Sequence, residues 1–145
     1  MANELVLATP TLRGKSDVIT NYDVNEPAVE PGYAASVDAN GKVVKYDGTA
    51  ALAGVAAYKE KGGRQSVIKS GLGVPVRIAA ADNPAVGQLA NVEKATGLFT
   101  TAEANGSTIV ATKAVFMSQK QIALHAFDRA PVENCAIIDF EGGLR

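Results

Sequence analysis

The chain has 145 residues, enough for one domain that buries about 68–70% of its unfolded surface and folds without disulfides or a structural metal. One cysteine, Cys135, excludes an internal disulfide and a cysteine-only metal site. The formal net charge is −1 and the basic residues are scattered, which speaks against nucleic-acid binding through phosphates, where a basic stripe is needed.

No run approaches about 18 consecutive apolar residues, so no membrane-spanning helix is expected. The first residues lack the basic region and apolar stretch of a secretory signal, so the product is expected to stay where it is made or to leave within an assembly. Aromatics are only 6% and the 14 glycines fall at turn-like intervals, the punctuation of many short strands.

Residues 4–8 read as a short strand or docked arm, broken at Pro10. Residues 11–31 hold Gly14, Pro27 and Pro31 with little apolar content. Residues 1–30 are therefore expected to form an extended arm, ordered by a neighbour or by adding residues 5–7 to a sheet edge. A single β domain is expected over residues 31–145. Strands are predicted over 33–37 and 42–46 around a turn at Asn40 and Gly41, then over 50–58, where Gly54 argues against a helix. Two more are predicted over 65–70 and 74–80, separated by Gly71 and Gly73, with Pro75 placed at a strand start, bulge or edge. Further strands follow over 86–92, 98–101, 107–117, 120–127 and 133–140. In the strand over 120–127, alternation places Ile122, Leu124 and Ala126 on one face and His125 opposite, toward solvent or an interface. Cys135 reads as a small core residue on a buried strand. The fold class is all-β, a compact β-barrel or jelly-roll-like sandwich.

Part of this series occurs twice. Gly32 matches Gly87, Val37 matches Val92, Asp38 matches Glu93 and Gly41 matches Gly97. Val43 then matches Phe99, Gly48 matches Gly106, Leu52 matches Val110 and Tyr58 matches Phe116. Two similar halves are expected, near residues 31–80 and 86–140. Val37, Val43, Leu52, Val55, Val92, Phe99, Val110, Val115 and Ile137 are expected to form the core.

Chemistry-bearing motifs are sparse. His125 is the one histidine, and no Gly-x-Ser-x-Gly elbow accompanies it. One histidine and one cysteine are too few for a zinc site. Residues 38–41 lack the closing glutamate of a calcium loop. Gly62, Gly63, Gly71 and Gly73 lack the lysine arrangement of a phosphate loop. Asp38, Asp82, Glu93 and Asp128 sit at or beside turns, where carboxylates bond the local backbone. No catalytic, metal or cofactor-binding residue is assigned and no cofactor is expected.

The repeated unit resembles the capsid decoration, or cement, proteins of tailed bacteriophages. The resemblance rests on Gly32, Val37, Asn40 and Gly41, on Ala53, Gly54, Val55 and Ala56, and on residues 73–78 between the copies. It spans roughly residues 25–140. The second copy departs from it, with Thr112 and Lys113 where Gly54 and Val55 are expected. The resemblance implies a structural, non-enzymatic virion protein made in the bacterial cytoplasm. It implies binding to the exterior of an expanded capsid as a dimer or trimer, clamping copies of the major capsid protein, with no nucleic-acid or membrane partner. Shell contacts are then expected at Leu5, Val6, Leu7, Val18, Ile19 and Tyr22 of the arm, and at Lys59, Lys61, Arg64 and Arg129 in loops. The alternatives are another phage structural module (tail tube, head-completion or fibre domain) and a small β-barrel that binds a ligand.

Overall fold

The computed structural model describes residues 5–9, 18–24, 28–60, 64–125 and 128–145, with the backbone alone for residues 18–24 and 58–60. The described residues are all-β. The strands are β1 (Val18–Val24), β2 (Ala34–Val37), β3 (Lys42–Lys45), β4 (Leu52–Glu60), β5 (Arg64–Arg77) and β6 (Asn91–Glu93). They continue as β7 (Phe99–Thr100), β8 (Ile109–Val110), β9 (Val115–Phe116), β10 (Gln121–Leu124) and β11 (Pro131–Phe140). One sheet runs β1-β3-β2-β4-β5-β11-β10, with β9 also on β11; a small second sheet runs β7-β6-β8. The large sheet is mainly antiparallel and curls into a half-barrel. Its open side is spanned by β1, which pairs antiparallel with β5 and parallel with β3.

The repeat in the sequence is a repeat in space. The order β3-β2-β4 recurs as β7-β6-β8. The matched residues pair alike, Val37 with Val43 and Val92 with Phe99. Three matched glycines share a left-handed backbone: φ is 95° and 96° at Gly32 and Gly87, 77° and 72° at Gly41 and Gly97, and 91° and 75° at Gly48 and Gly106. A Cβ makes this region costly, so glycine at these turns preserves the geometry in both copies. The turns also share their hydrogen bonds. Thr49 N–H donates to the Asp47 carboxylate at 2.9 Å, and Ser107 N–H donates to the Asn105 amide oxygen at 2.9 Å.

The copies diverge at a bulge. In the first, pairing passes from Ala35↔Gly54 to Ser36↔Leu52, one step on β2 answered by two on β4. In the second it passes from Leu89↔Val115 to Val92↔Val110, three steps answered by five. Thr112 fills this wider bulge. Its hydroxyl donates to the Ala90 carbonyl at 2.7 Å and accepts from Ala114 N–H at 2.9 Å. The insertion corrects the end of the sequence match. Gly32 and Tyr33 bond the backbone of Ala56, as Gly87 and Gln88 bond that of Phe116. Ala56, not Tyr58, is therefore the counterpart of Phe116, and Val115 rather than Lys113 stands in the place of Val55.

Both copies feed one core. Phe99, Phe116 and Phe140 are fully buried there with Val55, Ile68, Val74, Val76, Val92 and Ile138. Of the expected core residues, Val43, Leu52, Val55, Val92 and Phe99 are buried, whereas Val37, Val110, Val115 and Ile137 are half-buried. A second, smaller cluster takes Ala35, Val43, Ala56 and Val67, one from each of β2, β3, β4 and β5. Gln65 is also fully buried, and its amide bonds the backbone of Val29 and the carbonyl of Ala57.

Three local expectations change. The strands predicted over 65–70 and 74–80 are one strand, β5, with Pro75 in its interior, opposite Ile137. The Pro75 carbonyl accepts from Ala8 N–H at 2.9 Å on the edge away from β11, so the missing N–H of proline costs no bond to β11. On β10 the inward residue is Ala123, fully buried, while Ile122 is 59% exposed and Leu124 half-buried; Ala126 lies outside the described residues. The inner face of β10 is thus that of Ala123 rather than that of Ile122. Finally, residues 5–9 and 18–24 find partners within the chain. Residues 18–24 are β1, and Leu7 is fully buried with Ala123 and Cys135. Residues 5–7 do add to a sheet edge, but in the same chain, through a parallel bridge of Val6 to Leu124.

Candidate interaction surface

The expected shell contacts separate into three groups. Leu7 has no exposed surface, and Leu5 and Val6 are half-buried beside β10. Val18, Ile19 and Tyr22 pair through their backbone with Ser70, Ile68 and Gln65 of β5. Lys59 pairs in backbone register with Gln65, and Lys61 lies outside the described residues. Arg64 and Arg129 are exposed. They sit at the ends of the β4–β5 and β10–β11 hairpins. Arg129 takes a φ of 59° there, and its N–H donates to the His125 carbonyl at 3.1 Å.

His125 braces that second hairpin. Its Nε2 lies 2.7 Å from Glu30 Oε2 and its Nδ1 3.4 Å from Asp128 Oδ1. With one ring nitrogen facing each carboxylate, the imidazole forms a strut between residues 28–30 and the hairpin. Cys135 is buried with Leu7 and Ala123, and burial pushes its thiol pKa up, against smaller lowering influences from the Ala123 backbone and the Arg77 charge. That is the setting of an inert core thiol rather than a nucleophile.

Tyr33 is clasped between two cations, with Lys45 Nζ 4.8 Å and Arg77 Cζ 5.0 Å from its ring centre. It borders a groove of about 330 Å³ that also touches Val29, Glu30 and Val44. A second groove, about 410 Å³, lies between Leu52, Lys69 and the C-terminal residues Gly143 and Arg145. Polar side chains elsewhere largely hold the chain's own backbone. Asp38 accepts from Asn40 and Lys42, Asp139 from Gly73, and Asn105 from Ser107, Thr108 and Ile109. Hydrogen bonds from the Thr49 backbone and hydroxyl hold Asp47 below the usual carboxylate range.

Among the described residues, no group of three or more His, Cys, Asp or Glu side chains is arranged to hold a metal ion, and no helix is long and apolar enough to cross a membrane. Three large apolar side chains stand out at the surface: Val86, 64% exposed, Leu89, 57%, and Ile122, 59%. None was singled out from the sequence. The signal for the first two was present in the repeat, where Val86 and Leu89 replace Pro31 and Ala34 around the matched glycines. No protein-family model, curated protein or solved structure matches the chain.

Proposed function

We propose that this protein is a structural component of a tailed-phage particle, a decoration protein that binds the exterior of the expanded capsid and clamps neighbouring copies of the major capsid protein. The observation that carries the reading is the repeated β unit zipped into one body. β5 and β11 pair from Arg77↔Cys135 to Gly71↔Phe140, and one core runs through both copies. A clamp works by resisting deformation, and a doubly connected sheet with its polar groups turned onto its own backbone supplies stiffness. The repeat also presents similar turns at separate places, which suits contact with more than one shell subunit.

The test is co-sedimentation with shells assembled from the major capsid protein of the same phage, before and after expansion. Saturable binding to expanded shells is expected. Self-polymerisation into tubes would instead indicate a tail-tube protein. Failure to bind either shell, with thermal stabilisation by a small ligand, would indicate a binding barrel.

A further inference from the structure

Ala34 and Leu89 are counterparts in the repeat, opposite Val55 and Val115, but their outer edges differ. Ala34 N–H donates to the Gly97 carbonyl at 2.9 Å, and its carbonyl accepts from Tyr46 N–H at 2.9 Å. Its side chain is fully buried. Among the described residues, neither the N–H nor the C=O of Leu89 has a hydrogen-bond partner. On the second copy the counterpart of Tyr46 is Ala102, which turns inward instead: its N–H donates to the Thr100 hydroxyl oxygen at 3.1 Å and its carbonyl accepts from the Asn91 side-chain amide at 3.0 Å. Asp82 holds the same stretch, accepting from the Thr100 hydroxyl and from Thr101 N–H at 2.9 Å. The neighbouring glycines differ in the same sense. A Cβ on Gly32 would meet Leu7 Cδ2 at 2.8 Å, whereas a Cβ on Gly87 would meet nothing within 4 Å.

We propose that the edge at Leu89 is a docking site for an extended apolar protein segment, which adds there as a short strand. It would fill the place that Gly97, Tyr46 and Leu7 fill on the first copy. The free N–H and C=O of Leu89 supply main-chain pairing, and Val86 and Leu89 supply apolar contact for alternate side chains. The space over Gly87 is open where Leu7 lies over Gly32 on the first copy. Two exposed side chains fall far short of the roughly 800 Å² per partner of a stable globular interface, so the strip fits a strand better than a second copy of the chain. Assigning the segment to the major capsid protein rests on the decoration reading.

The test uses the full-length chain, isotope-labelled for NMR, titrated with a synthetic peptide of residues 5–9, the segment that carries Leu7. Shift changes are expected at residues 86–89, with slower amide exchange at Leu89. They should vanish in the Val86→Asp/Leu89→Asp variant, whose melting temperature should stay close to that of the parent because both side chains are exposed. No response at these residues at millimolar peptide, or an equal response in the variant, overturns the proposal. Shifts there that depend on protein concentration without peptide would overturn it in favour of a second copy. On shells, unchanged attachment of the variant would reject this edge while leaving decoration intact. If the parent protein does not attach at all, the decoration reading fails and the peptide titration still decides the edge.

Discussion

Ala34 and Leu89 hold the same position in two copies of one β unit, and only Ala34 is sealed. Its N–H and C=O are both bonded and its side chain is buried, while Leu89 is 57% exposed. Tyr46 bonds Ala34, whereas its counterpart Ala102 bonds the Thr100 hydroxyl and the Asn91 amide instead of Leu89.

Amide hydrogen exchange should report this asymmetry directly. The Ala34 amide opens only with the surrounding sheet, so strong protection is expected. The Leu89 amide should exchange at a rate near that of an unstructured chain. Equal protection at both positions would contradict the assignment of an open edge.

Residues 5–9 and 18–24 pack and pair within the chain. Leu7→Ala should cost about 2–5 kcal/mol, the range for truncating a buried leucine, read as a lowered urea midpoint. Removing residues 1–24 deletes both Leu7 and β1 and should abolish cooperative unfolding or sharply lower the melting temperature. A truncated protein with an unchanged melting temperature would show that the segment is an accessory arm.

Gly54 and Ala114 are counterparts that tolerate different side chains. A Cβ on Gly54 would collide with the Ile68 carbonyl oxygen of β5, a backbone atom. Gly54→Ala should therefore destabilise by roughly 3 kcal/mol, the upper part of the overpacking range. Gly41→Ala meets no neighbour within 4 Å but keeps a φ of 77°, and should cost only about 1–2 kcal/mol. Equilibrium denaturation of the two variants checks the order.

Cys135 predicts a loss of stability on the alkaline side. Burial raises its folded-state pKa, so above about pH 8.5, where an unfolded thiol ionises, the unfolded chain releases a proton that the folded chain retains. Its contribution is complete below that pH and is lost as pH rises toward the folded value. The alkaline fall in urea midpoint should be shallower in Cys135→Ala. Thiol labelling of the native protein at neutral pH should be slow and should accelerate on unfolding.

Much of this fold could be read from spacing, because glycine with positive φ marks a turn whatever surrounds it. Gly32, Gly41 and Gly48 with their three counterparts aligned the copies correctly. The alignment slipped where Thr112 inserts a bulge, since a threonine that bonds its own backbone leaves no compositional trace. The face of β10 was inverted because Ala123 faces inward against Leu7 and Cys135, a tertiary contact that hydropathy alone does not reveal. β1 escaped notice because its partners lie far along the chain in β5 and β3. Val86 and Leu89 fell within the strand predicted over 86–92 and were not singled out; their exposure follows from where Ala102 places its hydrogen bonds, which no local pattern reveals.

The most direct measurement is a reconstruction of purified capsids with and without this protein. Added density on the outer surface at the junctions between major capsid subunits, fitting the β5–β11 body and meeting shell protein, is the expected result. Identical exteriors in the two particles, or density confined to the tail, would contradict a role in capsid decoration.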